Sequence, residues 1–402
     1  MRVMPRRFSN ALALFAARRV HRALGSPNAR FALRDGSAVG PRADAVTPTL
    51  HFADARAPLE LALDPQLAFG DLFVSGRIRV EGSLVDLICL SNASPSDVGL
   101  GSRLGWRARV PAAWRQSLGR AARNARHHYD AGNDFYALWL DERMVYTCAF
   151  FPTRETSLEE AQLAKLDRVC RKLRLRPGQS VLELGSGWGA LALHMAREYG
   201  VSVRAFNVSP EQVSWARERA EKAGLASRVE FVLDDYRNAS GRYDAFASIG
   251  MLEHVGPGHY EELGRLIERT LAPSGLGLIH TIGRSRPQPL HRWVATRVFP
   301  NSHPPALSEM MRIFEPLDFA VLDVENLRRH YELTAEHWLA RYRANRRLIA
   351  ERVSEETARA FELYLAGTVA AFRTATMCLY QVVFSRARND QIPWTRADLY
   401  GA

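Results

Sequence analysis

Val181-Leu-Glu-Leu-Gly-Ser-Gly-Trp-Gly189 runs from an apolar stretch directly into three glycines at alternate positions. Glycine lets a backbone turn tightly and approach a ligand closely, so Gly185, Ser186, Gly187 and Gly189 read as a strand-to-helix turn around a bound molecule. The spacing is not G-x-G-x-x-G, and the acidic residue, Glu183, stands before the first glycine. Both features favour adenosylmethionine over a dinucleotide. The next apolar run ends in Asn207-Val-Ser209-Pro-Glu211-Gln212. Ligands of open α/β sheets gather at the carboxyl ends of strands, so Asn207, Ser209 and Gln212 are candidates for holding a ribose. The same residues also read as an ordinary helix start, with Ser209 as N-cap and Pro210 in the first turn. Asp235 and Tyr236, after the third run, are candidates for adenine, and a solvated acidic loop is the alternative.

Positioning such residues requires alternating strands and helices. Helical spacing of apolar residues predicts a helix over Leu158–Leu173. Strands are expected at Val181–Leu184, Val201–Phe206, Val229–Leu233, Tyr243–Ile249 and Gly277–Ile282, with helices at Trp188–Tyr199, Pro210–Ala223 and Tyr260–Leu271. That order implies βαβ units: a doubly wound α/β domain with a parallel sheet covered on both faces. A proline-rich insertion follows Gly283, then a strand (Phe319–Val324), a helical excursion (about Thr334–Arg373) and a last strand (Met377–Phe384). Residues 1–115 read as a separate small α+β domain with its linker, leaving 116–402 as the catalytic domain. Within the first, Thr49–Phe52 and Leu59–Leu63 are expected as strands, and Ser91–Gly105 as linker.

The 402 residues, 47% hydrophobic and 24% charged, describe a globular chain of two or three domains. Its net charge of +11 rests almost wholly on arginine, for only Lys165, Lys172 and Lys222 are lysines. Such a surface suits nucleic acid or an anionic membrane, and genome composition alone would also produce it. Four scattered cysteines with no CxxC pair argue against a zinc site or a disulfide framework and fit a reducing cytoplasm. No stretch approaches the roughly 20 apolar residues that span a bilayer. The first 20 residues read as a basic amphipathic helix with Phe8, Leu12 and Phe15 on one side. Arg103–Arg126, with Trp106 and Trp114 among its arginines, suits a membrane interface; a solvated helix with packed tryptophans is the alternative.

Five further motifs occur in order: His127-His-Tyr-Asp-x-Gly-Asn-Asp134, Tyr146-Thr-Cys-Ala-Phe150, Gly250-Met-Leu-Glu-His-Val-Gly256, His280-Thr-Ile-Gly283 and Tyr380-Gln-Val-Val-Phe-Ser-Arg386. In order and spacing they resemble the cyclopropane-fatty-acyl-phospholipid synthases and, in turn, the mycolic acid cyclopropane synthases. The resemblance covers about residues 120–386 and extends more loosely to a membrane-binding amino-terminal domain. It implies transfer of a methylene group from S-adenosylmethionine to the cis double bond of an unsaturated phospholipid acyl chain. It adds Tyr146 and Thr147 to the cofactor residues and implies a bicarbonate site at Cys148, Glu253, His280, Ile282 and Tyr331. In that reading Glu253 accepts the bicarbonate O–H, while His280, Tyr331 and main-chain N–H groups at Cys148 and Ile282 donate. Taken singly, Glu253 reads as a helix-start carboxylate, His280 as a core histidine and Tyr331 as a packed ring.

The chain departs from relatives at Thr368 and Ser186, where cysteine is frequent. Phe361, Leu365, Val369 and Phe372 share the helical face of Thr368 and read as core or as an acyl groove. The partner implied is a phospholipid membrane and not nucleic acid, with the protein cytoplasmic and peripheral on the inner face; a homodimer is left open. Two rivals stand beside ring formation: an acyl-chain methyltransferase giving a methylene or methyl branch, and a silent lipid-binding protein.

Overall fold

The computed structural model describes residues 6–42, 47–93 and 132–397. Of these, the residues in Met1–Pro111, His291–Val298 and Trp338–Thr376 form one compact unit. Those in Ala112–Leu290, Phe299–His337 and Met377–Ala402 form the other. The first unit thus takes in the middle of the proline-rich insertion and most of the helical excursion. His127–Asp130, the basic tryptophan stretch and the linker beyond Ala93 lie outside the described residues.

The first unit begins with helix α1 (Arg6–Ala23), followed by strands β1 (Arg30–Ala32), β2 (Ala38–Val39) and β3 (Thr49–Phe52). Helices α2 (Ala57–Leu63) and α3 (Pro65–Val74), strand β4 (Ile78–Glu81) and helix α4 (Leu84–Ala93) follow. The strands pair in the order β2-β1-β3-β4, a small α+β layer. Ala17, Phe31, Leu50, Leu61, Leu72 and Leu87 meet in its core. Leu59–Leu63, expected as a strand, is helical. Its leucines alternate, but Leu, Glu and Ala are strong helix formers, Pro58 suits a first turn, and Asp54 Oδ1 accepts from the N–H groups of Arg56 and Ala57 at 2.9 and 3.0 Å. Ser91–Ala93, expected as linker, complete α4. The long helix Glu355–Arg373 buries Leu365, Val369 and Phe372 in this unit, while Thr368 is half-buried with its hydroxyl donating to Tyr364 O.

The second unit carries strands β5 (Ser180–Leu184), β6 (Ser202–Asn207), β7 (Val229–Leu233), β8 (Tyr243–Ile249), β9 (Leu271–Gly283), β10 (Phe319–Asn326) and β11 (Cys378–Arg386). They form one sheet in the order β10-β11-β9-β8-β5-β6-β7. β5 to β9 pair parallel, and β11 runs antiparallel between β9 and β10. Alternate residues serve opposite faces: Val181, Val203 and Ala245 enter one core, Leu182, Phe206 and Phe246 the other. The chain leaves β5 toward β6 on one side and returns to β8 on the other. The crevice at their carboxyl ends is therefore the topological switch point where ligands sit in such sheets.

Candidate active site

The glycine turn opens that crevice. Gly185, Gly187 and Gly189 have φ of +87°, +52° and +83°, a left-handed conformation that side chains resist. The N–H groups of Gly185 and Ser186 donate to Phe206 O, fastening the turn to β6. A Cβ on Gly187 would meet no protein atom, whereas one on Gly189 would lie 2.6 Å from Phe231 Cζ. Gly187 therefore leaves room on the ligand side, and Gly189 permits close packing of the helix Ala190–Tyr199 on the sheet.

A cavity of about 210 Å³ lies here, lined by Tyr146, Thr147, Gly185, Ser186, Gly187, Asn207, Gln212, Asp235 and Tyr236 among others. Asn207 Nδ2 donates to Gly187 O at 3.1 Å and to Gln212 Oε1 at 2.9 Å, so the end of β6 holds the glycine turn and the next helix in one network. Asp235 is engaged by Arg237, whose Nε donates at 2.8 Å. Two expected cofactor residues do not line the cavity. Gly189 serves packing, and buried Ser209 caps the helix Pro210–Lys222 by accepting from Gln212 N. The wall also includes residues to which the sequence had assigned no role: Lys165, His254, and Phe299 with Pro300 from the proline-rich insertion. Asn133, the described end of the first motif, accepts from Trp188 Nε1 at 2.7 Å, and Tyr136 packs between the rings of Tyr146 and Trp188. That motif braces the glycine turn. Open space at Gly187, the Gln212 amide N–H groups and the buried Ser186 hydroxyl, which has no partner among the described residues, fit an adenosylmethionine.

The five residues implied for an anion site form a connected chain beside this cavity. Cys148 Sγ lies 4.0 Å from Leu327 O, which also accepts from Tyr331 N at 3.1 Å. Leu327 N donates to Leu379 O, and Leu379 pairs with Ile282 across the β9–β11 ladder. Ile282 N–H in turn donates to Glu253 Oε1 at 2.6 Å. Gly250 N, at the start of the Glu253 loop, donates to His280 O. All five side chains but Ile282 are buried below a tenth of their surface. Ile282 corrects the expectation in one respect: its N–H is taken by Glu253 rather than left for a ligand. The Cys148 thiol donates to Ala149 O, and burial drives it far above the usual thiol range, so it stays protonated and is no nucleophile.

Two buried polar atoms of this group have no partner among the described residues: Glu253 Oε2 and His280 Nε2. Gln381 Nε2 lies 3.1 Å from His280 Nδ1; with the amide so oriented Nδ1 accepts and the ring proton is assigned to Nε2. Burial, with Lys165 and Lys172 adding repulsion, holds the imidazole well below its ordinary value and therefore neutral. Gln381 lies within the last sequence motif, and its register opposite His280 gives it this role. One orphaned acceptor and one orphaned N–H donor are what a protonated oxyanion requires.

Burial also pushes Glu253 up to about 7 from 4.5, against the lowering effect of hydrogen bonds from its own N–H, from Ile282 N–H and from the Thr281 hydroxyl. A carboxyl whose folded value is raised contributes stability that is full below the unfolded value and is lost as pH rises through the folded one. At about 1.4 kcal/mol per unit, the loss reaches about 3 kcal/mol. In denaturant melts Glu253→Gln should therefore gain on the wild type between about pH 5 and pH 8. Parallel pH dependences would contradict the buried, ionising carboxyl.

A doubly wound sheet with an antiparallel penultimate strand, a glycine turn after its first strand and a cavity at the switch point define an S-adenosylmethionine-dependent methyltransferase. The family model described as mycolic acid cyclopropane synthetase matches residues 116–382. The chain belongs to that family. It is 40% identical over 272 residues to the cyclopropane-fatty-acyl-phospholipid synthase of Escherichia coli, covering 67% of this chain and 70% of that one. It is 32% identical to a tuberculostearic acid methyltransferase of Mycobacterium tuberculosis across 92% of this chain and 91% of that one. A solved mycolic acid cyclopropane synthase, complexed with SAH and CTAB, superposes with a TM-score of 0.63 at 28% identity. It covers 65% of this chain and 97% of that one.

Proposed function

We propose that the protein converts the cis double bond of unsaturated phospholipid acyl chains to a cyclopropane, with bicarbonate as the base. The observation that carries this is a pair of buried atoms with no partner among the described residues, Glu253 Oε2 and His280 Nε2, with Ile282 N–H on the other Glu253 oxygen and with Cys148 and Tyr331 sharing Leu327 O nearby. Adenosylmethionine supplies an electrophilic methyl on sulfur, the acyl double bond is the nucleophile, and bicarbonate is the acceptor for the proton lost as the ring closes. The chain's part is to hold that acceptor: Glu253 takes its O–H, His280 Nε2–H faces its oxygen, and Tyr331 bounds it. A fixed anion beside a forming acyl cation stabilises charge as well as removing a proton. Lipids from cells expressing the gene test this by mass spectrometry. Acyl chains one methylene heavier that resist ozone are expected, and an ozone-labile heavier chain would instead indicate a methylene branch.

The branching reading has support of its own in the near full-length similarity to a tuberculostearic acid methyltransferase.

The membrane setting proposed is peripheral, on the cytoplasmic face. Its support is α1, which turns Ala13, Ala17 and Val20 inward and leaves Leu12 42% and Phe15 62% exposed beside exposed Arg19 and Arg22. Among the described residues no helix is long and apolar enough to cross a membrane. Burying a phenyl ring in lipid is worth about 2 kcal/mol and each nearby arginine about 1. Phe15→Asp should weaken sedimentation with anionic vesicles by about 10- to 100-fold, and raised salt should weaken the wild type. Binding indifferent to both would remove this docking surface.

A further inference from the structure

Lys165 is fully buried, at an inward position of the helix Leu158–Lys172 beside Leu158, Ala161, Gln162 and Leu166. Its Nζ donates to Thr147 Oγ1 at 3.0 Å, and it lines the cofactor cavity with Thr147 and Glu183. An ammonium carries three donors, and one is accounted for here. Lys172, the other buried lysine, has Glu325 at 2.6 Å and Asp323 at 3.6 Å, whereas among the described residues no carboxylate forms an ion pair with Lys165.

The charged and titratable groups that act on Lys165 are Asp141, Cys148 and Glu183, and Lys165 itself acts on His280. None of them neutralises it closely. Asp141 accepts from the N–H groups of Arg143 and Val145 at 3.0 and 2.8 Å. Burial pushes the Glu183 carboxyl up, its Oε2 has no partner among the described residues, and it forms no ion pair with Lys165. The Cys148 thiol is protonated and the His280 ring neutral, for the reasons given above. A buried cation without a counter-ion is costly, and burial draws Lys165 down to about 8.

We propose that Lys165 Nζ is the binding point for a small carboxylate-type oxyanion, where the cofactor cavity meets the Cys148–His280 cluster. Two ligands carry that chemistry: the amino-acid carboxylate of adenosylmethionine, and bicarbonate. The second alternative rests on the proposed base; the first does not.

The test uses the full chain and two variants, Lys165→Gln, which keeps a donor without charge, and Lys165→Arg, which keeps charge but moves it. Calorimetry measures S-adenosylhomocysteine and 5′-methylthioadenosine, which lacks the amino-acid carboxylate. Turnover measures the bicarbonate concentration giving half the maximal rate. If the cofactor carboxylate is held, Lys165→Gln weakens S-adenosylhomocysteine about tenfold or more and leaves 5′-methylthioadenosine unchanged. If bicarbonate is held, both nucleosides bind normally and the half-maximal bicarbonate concentration rises by about that factor. Lys165→Arg should recover part of whichever loss occurs, and serves alone if Lys165→Gln does not fold. Equal loss for both nucleosides, or no change in any of the three, overturns the proposal. A wild type indifferent to bicarbonate removes the proposed base, while the comparison of the two nucleosides still decides Lys165.

Discussion

Replacing Glu253 with glutamine should lower the turnover of monounsaturated phospholipid by about 10²–10⁴-fold while adenosylmethionine affinity stays nearly constant. The size follows from what the carboxyl does. It already accepts one N–H, from Ile282, and its second oxygen has no partner among the described residues. An amide there can still accept from Ile282, so the loop should keep its shape. Its NH₂ would then present donors where the carboxylate presents an acceptor, and would expel or misorient a protonated oxyanion. Glu253 does not line the cofactor cavity, which is why binding should survive. Added bicarbonate should accelerate the wild type and barely affect the variant. A variant that gains stability at alkaline pH yet loses turnover would mark a residue kept for chemistry rather than folding.

Gly187→Val should weaken adenosylmethionine by about 100-fold or more in a protein that still folds. The left-handed conformation, φ +52°, costs a branched residue of order 1–3 kcal/mol, but a Cβ there meets no protein atom, and Gly187 lines the cavity wall. Gly189→Val should behave oppositely. Its Cβ would lie 2.6 Å from Phe231 and 2.9 Å from Ala216, so overpacking adds to strain and stability falls by about 3 kcal/mol or more. Calorimetry with denaturant melts separates the two. Equal losses of stability, with affinity retained in the Gly187 variant, would contradict a ligand-facing turn.

The contrast between these two glycines shows what was legible in the sequence. The turn itself was plain, because an apolar strand running into three glycines has few other uses. Which glycine faces the ligand was not, since that depends on Phe231 and Ala216 from other elements. Six of the seven strands β5 to β11 fall near their expected bounds because their apolar residues form compact runs, whereas β9 begins at Leu271 rather than Gly277, its Pro273-Ser274-Gly275 start reading as a turn. Leu59–Leu63 was mistaken for a strand because a short run of alternating leucines carries either period, and only Pro58 with the Asp54 contacts decides. Ser209 offered both a ribose contact and a cap, and the structure uses the cap. Lys165 and Gln381 were passed over for different reasons. Lys165 lies at helical spacing from Leu158, Ala161 and Leu166, and that spacing was its one visible signal. Gln381 gains its role only from its register opposite His280. The grouping of Trp338–Thr376 with the amino-terminal elements is a long-range packing outcome that no local pattern announces.

The most direct measurement of the central claim follows a labelled methyl. Adenosylmethionine carrying a ¹³C methyl is incubated with the full chain and vesicles of a cis-monounsaturated phospholipid, with and without bicarbonate, and the acyl chains are read by NMR. The predicted result is one labelled CH₂ in a three-membered ring, loss of the olefinic signal, and a rate that depends on bicarbonate in the wild type but not in Glu253→Gln. Label appearing as a methyl or methylene branch, or no label in the acyl chain at all, would contradict it.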